Sequence, residues 1–226
     1  MDRKITVKGI GHITAKPDYV IIHLTVEEIN KKYEKAVEEA AKRINALTAA
    51  ISKIGFNAED LKTVDYSIQS NVEYKPNRKG IGEYIKNGFR CTNRLKLAFD
   101  FDSDKLSKTV NAITSCVADP RMNITFTVKD EEAVKDELLK SAGANARRRA
   151  EILCEAAGGK LGALVTVNYN WNELSILSPT RFDTRDDTLQ LDEILAAPTM
   201  APQSFQPDDV DLSDNAVFVW EIDSLY

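Results

Sequence analysis

Residues 130–167 read DEEAVKDELLKSAGANARRRAEILCEAAGGKLGALVTV and predict one long helix followed by one strand. Asp130 can cap the first turn, where the helix dipole also favours the two glutamates that follow it. One apolar stripe at steps of three and four residues runs along the helix: Val134, Leu138, Ala142, Ala146, Ala150, Leu153 and Ala157. Because the middle of this stripe is alanine, the helix can lie close to the surface that it covers, which we expect to be a sheet. Gly158 and Gly159 end the helix, and the strand Leu161–Tyr169 follows.

The start of the chain has the pattern of two strands and a second helix. Ile5–Gly9 is a short strand, and the longer strand after it has one strongly apolar face made of Val20, Ile22, Leu24 and Val26. The helix is predicted to begin after an Asn30 cap and to reach about Ile54. Its apolar residues form a heptad seam, which fits either a helix lying on its own sheet or a coiled coil between subunits: Tyr33, Val37, Ala40, Ile44, Leu47, Ile51 and Ile54.

Two alternating strands on either side of the loop Lys75–Gly82 predict an antiparallel hairpin with one face in the core and one face in water. The apolar face is formed by Val64, Tyr66, Ile68, Val72 and Tyr74 on the first strand and by Phe89, Cys91, Leu95, Leu97, Phe99 and Phe101 on the second. The polar face of the second strand carries Arg90, Arg94 and Lys96. These cations suit cross-strand pairing on a solvated face better than a functional basic patch.

The second half of the chain adds a shorter helix, more strands and an acidic segment. Ser103 is expected to cap the shorter helix, and Ile124–Val128 is a strand that leads into the long helix. Residues 173–214 are predicted to form a mobile insert, because between positions 178 and 214 there are four of the seven prolines and nine acidic residues against two basic ones. A short helix over 187–196 fits within the insert, and residues 215–223 form a closing strand.

Composition and charge argue against several classes of protein. The net charge of −5 does not suit a general nucleic-acid binder or a basic membrane-binding surface. The three cysteines, Cys91, Cys116 and Cys154, form no CxxC motif, so we expect buried thiols rather than a zinc site or a redox pair. No apolar run approaches the ~18 residues of a membrane span. An alternating strand follows Met1–Lys4 without a signal-peptide core, which predicts a cytoplasmic location if Met1 is the natural start.

No group of residues in the sequence indicates a reaction. The glycines of Gly9-x-Gly11 precede another strand instead of opening a helix, so they predict a turn and not a dinucleotide loop. The two histidines, His12 and His23, have no H-x-H or HExxH spacing, although a Ser–His or Cys–His pair that meets only in space stays open.

Two charged clusters are also read as solvated surface. The acidic pairs Asp186-Asp187 and Asp208-Asp209 lack the spacing of an EF-hand. Arg147-Arg148-Arg149 fans around its helix and forms no single-sided patch, with subunit contacts as the second interpretation. We therefore assign no catalytic, cofactor-binding or metal-binding residue.

The order and spacing of many residues resemble the SIMPL-domain family. The opening matches through Ile5-Thr-Val-x-Gly9-x-Gly11, Lys16-Pro17-Asp18 and the long strand that follows. The first helix and the residues after it match at Tyr33, Ala36, Asn45, Leu47, Gly55-Phe56 and Asp60-Leu61-Lys62-Thr63. The long helix and the residues after it match at Ala142, Ala146, Arg149-Ala150, Ala157, Gly158 and Leu161-Gly162. The closing strand matches at Asn215–Ile222. The resemblance implies an α+β fold without established catalytic residues. It also implies a bacterial protein, often exported, linked to oxidative-stress defence and able to form large homo-oligomers; an animal relative is a kinase-associated signalling partner. This chain departs from the family in lacking an export signal and in its acidic insert.

The sequence thus predicts an α+β protein, with one antiparallel amphipathic sheet, two long helices and one shorter helix packed on one face. Residues 1–226 would form a single SIMPL-like domain. We expect a non-enzymatic homo-oligomer that also binds a protein partner, without cofactor, nucleic acid or membrane span. One alternative is an enzyme whose cleft is covered by residues 178–214. A second is a thiol-based peroxide sensor.

Overall fold

The computed structural model describes residues 3–76, 82–169, 174–183 and 205–224. Within them, eight strands and three α-helices follow one another along the chain, with a single 3-10 turn at Ala58–Asp60. Their bounds are β1 (Lys4–Ala15), β2 (Tyr19–Asn30), α1 (Tyr33–Ser52), β3 (Leu61–Pro76), β4 (Gly82–Asp100), α2 (Ser103–Thr114), β5 (Arg121–Thr127), α3 (Glu131–Ala156), β6 (Gly159–Asn168), β7 (Leu177–Asp183) and β8 (Val210–Ser224). None of these helices is long and apolar enough to cross a membrane.

The chain divides into two compact units. The first comprises Met1–Pro17, Thr127–Pro179 and Asp208–Tyr226, and the second comprises Asp18–Phe126 and Thr180–Pro207. The sheet of the first unit has the order β1-β8-β6, and a five-stranded sheet has the order β3-β4-β2-β5-β7. The α+β class is confirmed. The predicted single sheet with all helices on one face is wrong, because β1 pairs with β8 and not with β2, which gives α3 a sheet of its own.

Helix α3 lies very close to β1 in the first unit because two glycines face it. A Cβ atom on Gly9 would come within 2.2 Å of the Ala142 carbonyl oxygen, and one on Gly11 within 2.2 Å of the Leu138 carbonyl oxygen. Ala142, like Ala146, is buried at this contact. The Gly9-x-Gly11 motif is therefore not the turn that the sequence predicts. It is the middle of a strand over which the helix backbone passes.

The same contact covers the outer edge of β1. The backbone N–H of Ile10 donates to Asn145 Oδ1 at 3.1 Å, and that of His12 donates to Ser141 Oγ at 3.3 Å. Arg149 donates to the carbonyl of Lys8 at 3.3 Å. Four residues of helix rise about 6.0 Å and two residues of strand about 6.7 Å, so a row of helix side chains matches every second residue of the strand. The edge is thereby closed to pairing with another strand.

Helix α3 begins and ends where the sequence predicts, but its buried stripe differs from the predicted one near the C-terminal end. Asp130 Oδ1 accepts a hydrogen bond from the Ala133 N–H, and Gly158 takes a left-handed conformation with φ of 77°. The predicted Leu153 is 53% exposed, and Cys154 is buried in its place. The buried stripe of α3 thus keeps four-residue steps to its end, and with 3.6 residues per turn it winds slowly around the helix.

The main core of the second unit lies between its sheet and helices α1 and α2. Buried residues of β2, β4 and β5 pack against Leu47 and Ile51 of α1 and against Leu106 of α2. Helix α1 thus lies on its own sheet, which was one of the two interpretations of its heptad seam; the other was a coiled coil between subunits. Both predicted caps are shifted. The N-cap of α1 is Lys32 and not Asn30, because β2 runs on to Asn30. The N-cap of α2 is Asp102 and not Ser103, because the Asp102 carboxylate accepts the Lys105 N–H at 2.7 Å.

The predicted insert, residues 173–214, contains two segments of strand. Leu177–Asp183 is β7, at the edge of the five-stranded sheet, and β8 begins at Val210 instead of residue 215. The acidic composition hid the start of β8, where Val210 and Leu212 are buried and Asp211 between them is exposed. Residues 184–204, which include the helix predicted over 187–196, lie outside the described residues.

Candidate functional site

The β3–β4 hairpin reaches beyond the helix that covers it. Helix α1 begins at Tyr33, whose ring meets Phe89 edge-on at 5.7 Å, and Ala36 and Ala40 lie over Cys91. The hairpin continues past Phe89 as a two-stranded ribbon in which Val72 pairs with Lys86 and Tyr74 with Tyr84. We call this ribbon, Val72–Pro76 with Gly82–Lys86, the arm. A two-stranded ribbon in water is only marginally stable, so other contacts must hold it in place.

One side of the arm and the neighbouring start of α1 form an exposed aromatic surface. We call it the tyrosine face; its residues are Tyr33, Tyr66, Val72, Tyr74 and Tyr84. The exposed fractions of Val72, Tyr74 and Tyr84 are 53%, 65% and 77%. The rings of Tyr74 and Tyr84 lie 5.1 Å apart, and Lys86 Nζ lies 4.4 Å from the centre of the Phe89 ring. The face therefore continues the helix-covered surface of the sheet, and none of the helices that the structure describes lies over it.

This surface corrects the prediction that the apolar face of β3 is in the core. Ile68 does pack under α1, but Val64, Tyr66, Val72 and Tyr74 are all exposed. Val72 and Tyr74 lie beyond the first turn of α1. Val64 is the extra residue of a bulge, because Thr63 pairs with Leu95 and Asp65 with Arg94.

The opposite side of the arm is held by a chain of polar contacts. Asn71 donates to the Asn87 carbonyl at 3.4 Å and accepts from Arg90 at 3.2 Å, and Asn87 donates to Glu73. Arg90 in turn lies 3.3 Å from Glu27 on β2. These contacts tie the base of the arm to the centre of the sheet. The arm is thus a supported element that presents its tyrosines in a fixed place.

Three lysines cluster at the start of α1, next in sequence to Tyr33 of the tyrosine face. Lys31, Lys32 and Lys35 are exposed at the start of α1, where a helix dipole disfavours positive charge. Lys32 is the N-cap residue and makes no side-chain capping bond. The backbone of Lys31 lies against the arm, since a Cβ atom on Gly88 would come within 2.9 Å of the Lys31 Cα atom. This placement gives the helix no stability, so it favours a role in binding.

A polar groove lies on the other face of the five-stranded sheet. Its cavity has a volume of about 360 Å³ and is lined by His23, Thr25, Glu27, Arg94, Arg121, Met122, Asn123 and Asp183. Arg121 lies 3.4 Å from Glu27, and Arg94 lies 3.6 Å from Asp65. The charges lining the groove are therefore largely compensated by their neighbours. The predicted pairing with acidic neighbours agrees with the ion pairs of Arg94 with Asp65 and of Arg90 with Glu27. Lys96 instead lies opposite Lys62 on β3 and His23 on β2.

His23 offers a direct test of the electrostatics of the groove. Burial, and after it the charge of Lys96, lowers the pKa of His23 below its ordinary value of 6.5. A histidine with a lowered pKa stabilises the fold fully above 6.5, and this contribution is lost as the pH falls towards the folded-state pKa. We expect an NMR titration to give a midpoint below 6.5, and Lys96→Met to raise it only in part because burial remains.

The control for this titration is Lys53→Met, at the exposed end of α1, which should leave the His23 midpoint unchanged. A wild-type midpoint at or above the ordinary value would contradict a partial desolvation of the otherwise exposed His23 side chain.

The remaining residues singled out in the sequence do not converge. His12 lies on β1 against Ser141, in the other unit from His23. Cys91 and Cys154 are buried and Cys116 is partly buried. Within the described residues, no three His, Cys, Asp or Glu side chains are grouped to hold a metal ion.

The arginine run and the acidic pairs that were singled out in the sequence do not meet in one site either. Arg147 pairs with Glu151 at 3.0 Å and Arg149 with the β1 backbone, so this arginine run serves α3 itself. Asp208 Oδ1 accepts the backbone N–H of Asp209 at 3.0 Å, and Asp186-Asp187 lies outside the described residues. Sequence reasoning missed the tyrosine face, although four of the seven tyrosines and a lysine cluster at a helix start were visible signals.

Comparison with known proteins identifies the family. The model of SIMPL, a protein family of unknown function (DUF541), matches residues 5–220. A 26 kDa periplasmic immunogenic protein of Brucella melitensis is 26% identical over 165 residues, which are 73% of this chain and 66% of that protein. The chain thus spans just under two thirds of the length of the Brucella relatives it matches. The uncharacterized protein YggE of Escherichia coli K12 is 20% identical over 219 residues, 97% of this chain and 83% of that protein. With nearly its whole length matched by the family model, this chain belongs to the SIMPL family, whose function is unknown.

Proposed function

We propose that this SIMPL-family protein is not an enzyme and that it acts by self-association and by binding a protein partner through the tyrosine face. The observation that carries the proposal is the uncovered aromatic side of the arm, with Val72, Tyr74 and Tyr84 all more than half exposed. Contiguous exposed apolar surface on a soluble protein marks an interaction site. Tyrosine supplies a large contact area and a hydroxyl group for little loss of conformational entropy, and it is enriched at interfaces.

The position of β3 supports the same proposal. β3 is an edge strand of the five-stranded sheet, so one side of its backbone pairs with no other strand among the described residues. A bulge at Val64 interrupts this edge of β3, and a second register shift lies beside Asn71, where the extra residue is on β4. Side-chain contacts on the tyrosine face, more than a long backbone ladder, would then provide the affinity.

The test is the double substitution Tyr74→Ser and Tyr84→Ser, followed by sedimentation velocity and light scattering over a wide concentration range. We expect association of the full chain to weaken by about tenfold or more, because both aromatic anchors are lost. Both side chains are mostly exposed, so the melting temperature should change little.

The matched control is Ile152→Ser with Leu153→Ser, which removes two half-exposed apolar side chains from α3. The control should associate like the wild type. A wild-type protein that stays strictly monomeric across the range would refute self-association.

An enzyme with a cleft site is the second candidate, and one observation favours it. His23, Glu27, Arg121 and Asp183 converge on the polar groove, and Asp183 belongs to the 178–214 segment that this alternative places over the site. A small molecule that raises the melting temperature of the wild type, but not of Arg121→Met, would support this candidate. A ligand screen without such a compound would leave it without support.

The thiol-sensor alternative has less support. A peroxide-reactive cysteine needs an accessible thiolate, but burial raises the pKa of Cys154 and Cys91 is also buried. The role in stress defence stays a prediction from the family resemblance. The predicted cytoplasmic location gains no support from the comparisons, because the Brucella relatives are periplasmic by name.

A further inference from the structure

We propose that the polar face of the five-stranded sheet binds a small phosphate-bearing molecule through Lys62, Lys96 and His23, at the edge of the polar groove. This site goes beyond the proposed function, since it lies on the other face of the sheet and depends on neither the tyrosine face nor self-association. Its starting point is a row of basic side chains that crosses three neighbouring strands.

The row places like charges directly opposite each other. Lys62 of β3 lies opposite Lys96 of β4, which in turn lies opposite His23 of β2. Such residues point to the same face, with Cβ atoms about 4.5–5.5 Å apart, so the two ammonium groups repel each other. Lys96 is only partly exposed, so water screens its charge incompletely. The pairing destabilises the sheet, and an anion bound between the side chains would offset the repulsion.

Acidic residues close to the row are engaged elsewhere. Asp65 pairs with Arg94 at 3.6 Å, and the Asp60 carboxylate accepts a backbone N–H at the start of its own 3-10 turn at 2.8 Å. Among the residues that the structure describes, Lys62 and Lys96 form no ion pair with a carboxylate. The positive charge of the row is therefore left for a ligand.

The polar groove adjoins the row and sets the size of that ligand. His23 and Arg94 both line the groove, so Lys96, opposite the first and two residues from the second, lies at its edge. Thr25 and Asn123 add neutral hydrogen-bonding groups to the same cavity. Its volume of about 360 Å³ suits a small molecule. The phosphate oxygens would accept hydrogen bonds from the row, and the organic part of the ligand would occupy the groove.

The charges around the row favour a compact dianion over an extended polyanion. A phosphate monoester carries about 1.5 to 2 negative charges at pH 7, which matches the two lysines, and lysine is a common phosphate ligand. Glu27 and Asp183 line the groove beyond the row. A nucleic acid lying along the sheet would therefore meet carboxylates as well as lysines.

An NMR titration of His23 in the full-length chain tests the site. Inorganic phosphate and glycerol phosphate are each compared with chloride at equal ionic strength. We expect both to raise the His23 midpoint by about 0.5 pH or more, because a bound dianion favours the imidazolium form. Tighter binding of glycerol phosphate would identify an ester as the ligand, and equal affinity would identify the free ion. The charged groups that face His23 from the row and the groove are Lys62, Lys96, Arg94, Arg121, Glu27 and Asp183.

Lys62→Glu separates ligand binding from folding. The substitution replaces a repulsive cross-strand pair with an attractive one, so in chloride the melting temperature should rise by about 1–3 °C. Phosphate should bind at least about tenfold more weakly, because one cation of the site has become an anion. A lysine that served only to stabilise the sheet would not give a gain in stability together with a loss of binding.

The control is Lys53→Glu, which makes the same change in net charge at the exposed end of α1 and should bind phosphate like the wild type. Equal losses of binding in Lys62→Glu and Lys53→Glu would overturn the proposed site, as would a His23 midpoint that is the same in phosphate and in chloride. The Tyr74→Ser/Tyr84→Ser variant keeps the whole row and should bind phosphate normally. The phosphate site and association through the tyrosine face can therefore fail independently.

Discussion

Gly9→Ala is expected to lower the free energy of unfolding by about 3 kcal/mol, which corresponds to a melting temperature lower by about 6–12 °C. The added methyl group would lie 2.2 Å from the Ala142 carbonyl oxygen and 2.6 Å from the Ala146 Cβ atom. Neither atom belongs to a flexible side chain that can move aside, so α3 must shift away from β1. The shift would also lengthen the hydrogen bonds of Asn145 and Ser141 to the edge of the strand. Urea or thermal denaturation of the full chain measures the loss.

The same substitution at Gly143 provides the control. Gly143 lies within α3, and an added Cβ atom would meet only the Phe218 ring, at 3.9 Å. Alanine is the better helix former by about 1 kcal/mol, so Gly143→Ala should leave the protein equally or more stable. Equal losses at Gly9 and Gly143 would contradict the close approach of α3 to β1. Hydrogen exchange of the Ile10 amide, faster in Gly9→Ala than in the wild type, would locate the damage at this contact.

The type of each helix and strand could be predicted from the sequence more reliably than the pairing of the strands. The alternation in β2 and the alanine stripe of α3 are local patterns, and both elements have the type that these patterns predict. The pairing of β1 with β8 joins residues about two hundred positions apart, and no local pattern carries that information. For this reason two sheets were predicted as one. The role of Gly9 and Gly11 was missed because a glycine that admits a helix and a glycine that turns the chain look alike in sequence.

The tyrosine face could not be predicted because it has the same alternating pattern as a buried strand face. Alternating apolar residues predict a buried face, and Ile68 follows the rule because Ala36 and Ala40 cover it. Tyr74 has the same alternation but lies beyond the start of α1, and the extent of a covering helix cannot be read from the strand beneath it. The lysines before and within the first turn of α1 were visible in the sequence. They indicate a role in binding only once the structure places the Lys31 backbone against the arm.

Ile22→Ala is expected to cost about 3–4 kcal/mol of unfolding free energy, the largest loss that we predict for the second unit. Ile22 is fully buried between the sheet and its helices, and truncation would leave a cavity with rigid walls of β-strand and helix. The neighbouring residue is also isoleucine but points to the opposite, polar face of the sheet. Ile21→Ala removes the same atoms one position away, from a side chain that is only partly buried, and should cost about 1 kcal/mol or less. Chemical denaturation of the two variants compares the faces of β2 with side-chain chemistry held constant.

The ratio of these two losses tests the register of the whole sheet. In β2, Ile22 pairs with Leu97 and Ile21 with Ala98, so a strand displaced by one residue would exchange the buried and the polar face. The tyrosine face, the polar groove and the lysine cluster all depend on this register, since β4 carries it from β2 to β3. Equal losses at the two isoleucines, or a larger loss at Ile21, would contradict the arrangement of the sheet. The placement of every surface residue argued from the sheet would then be wrong as well.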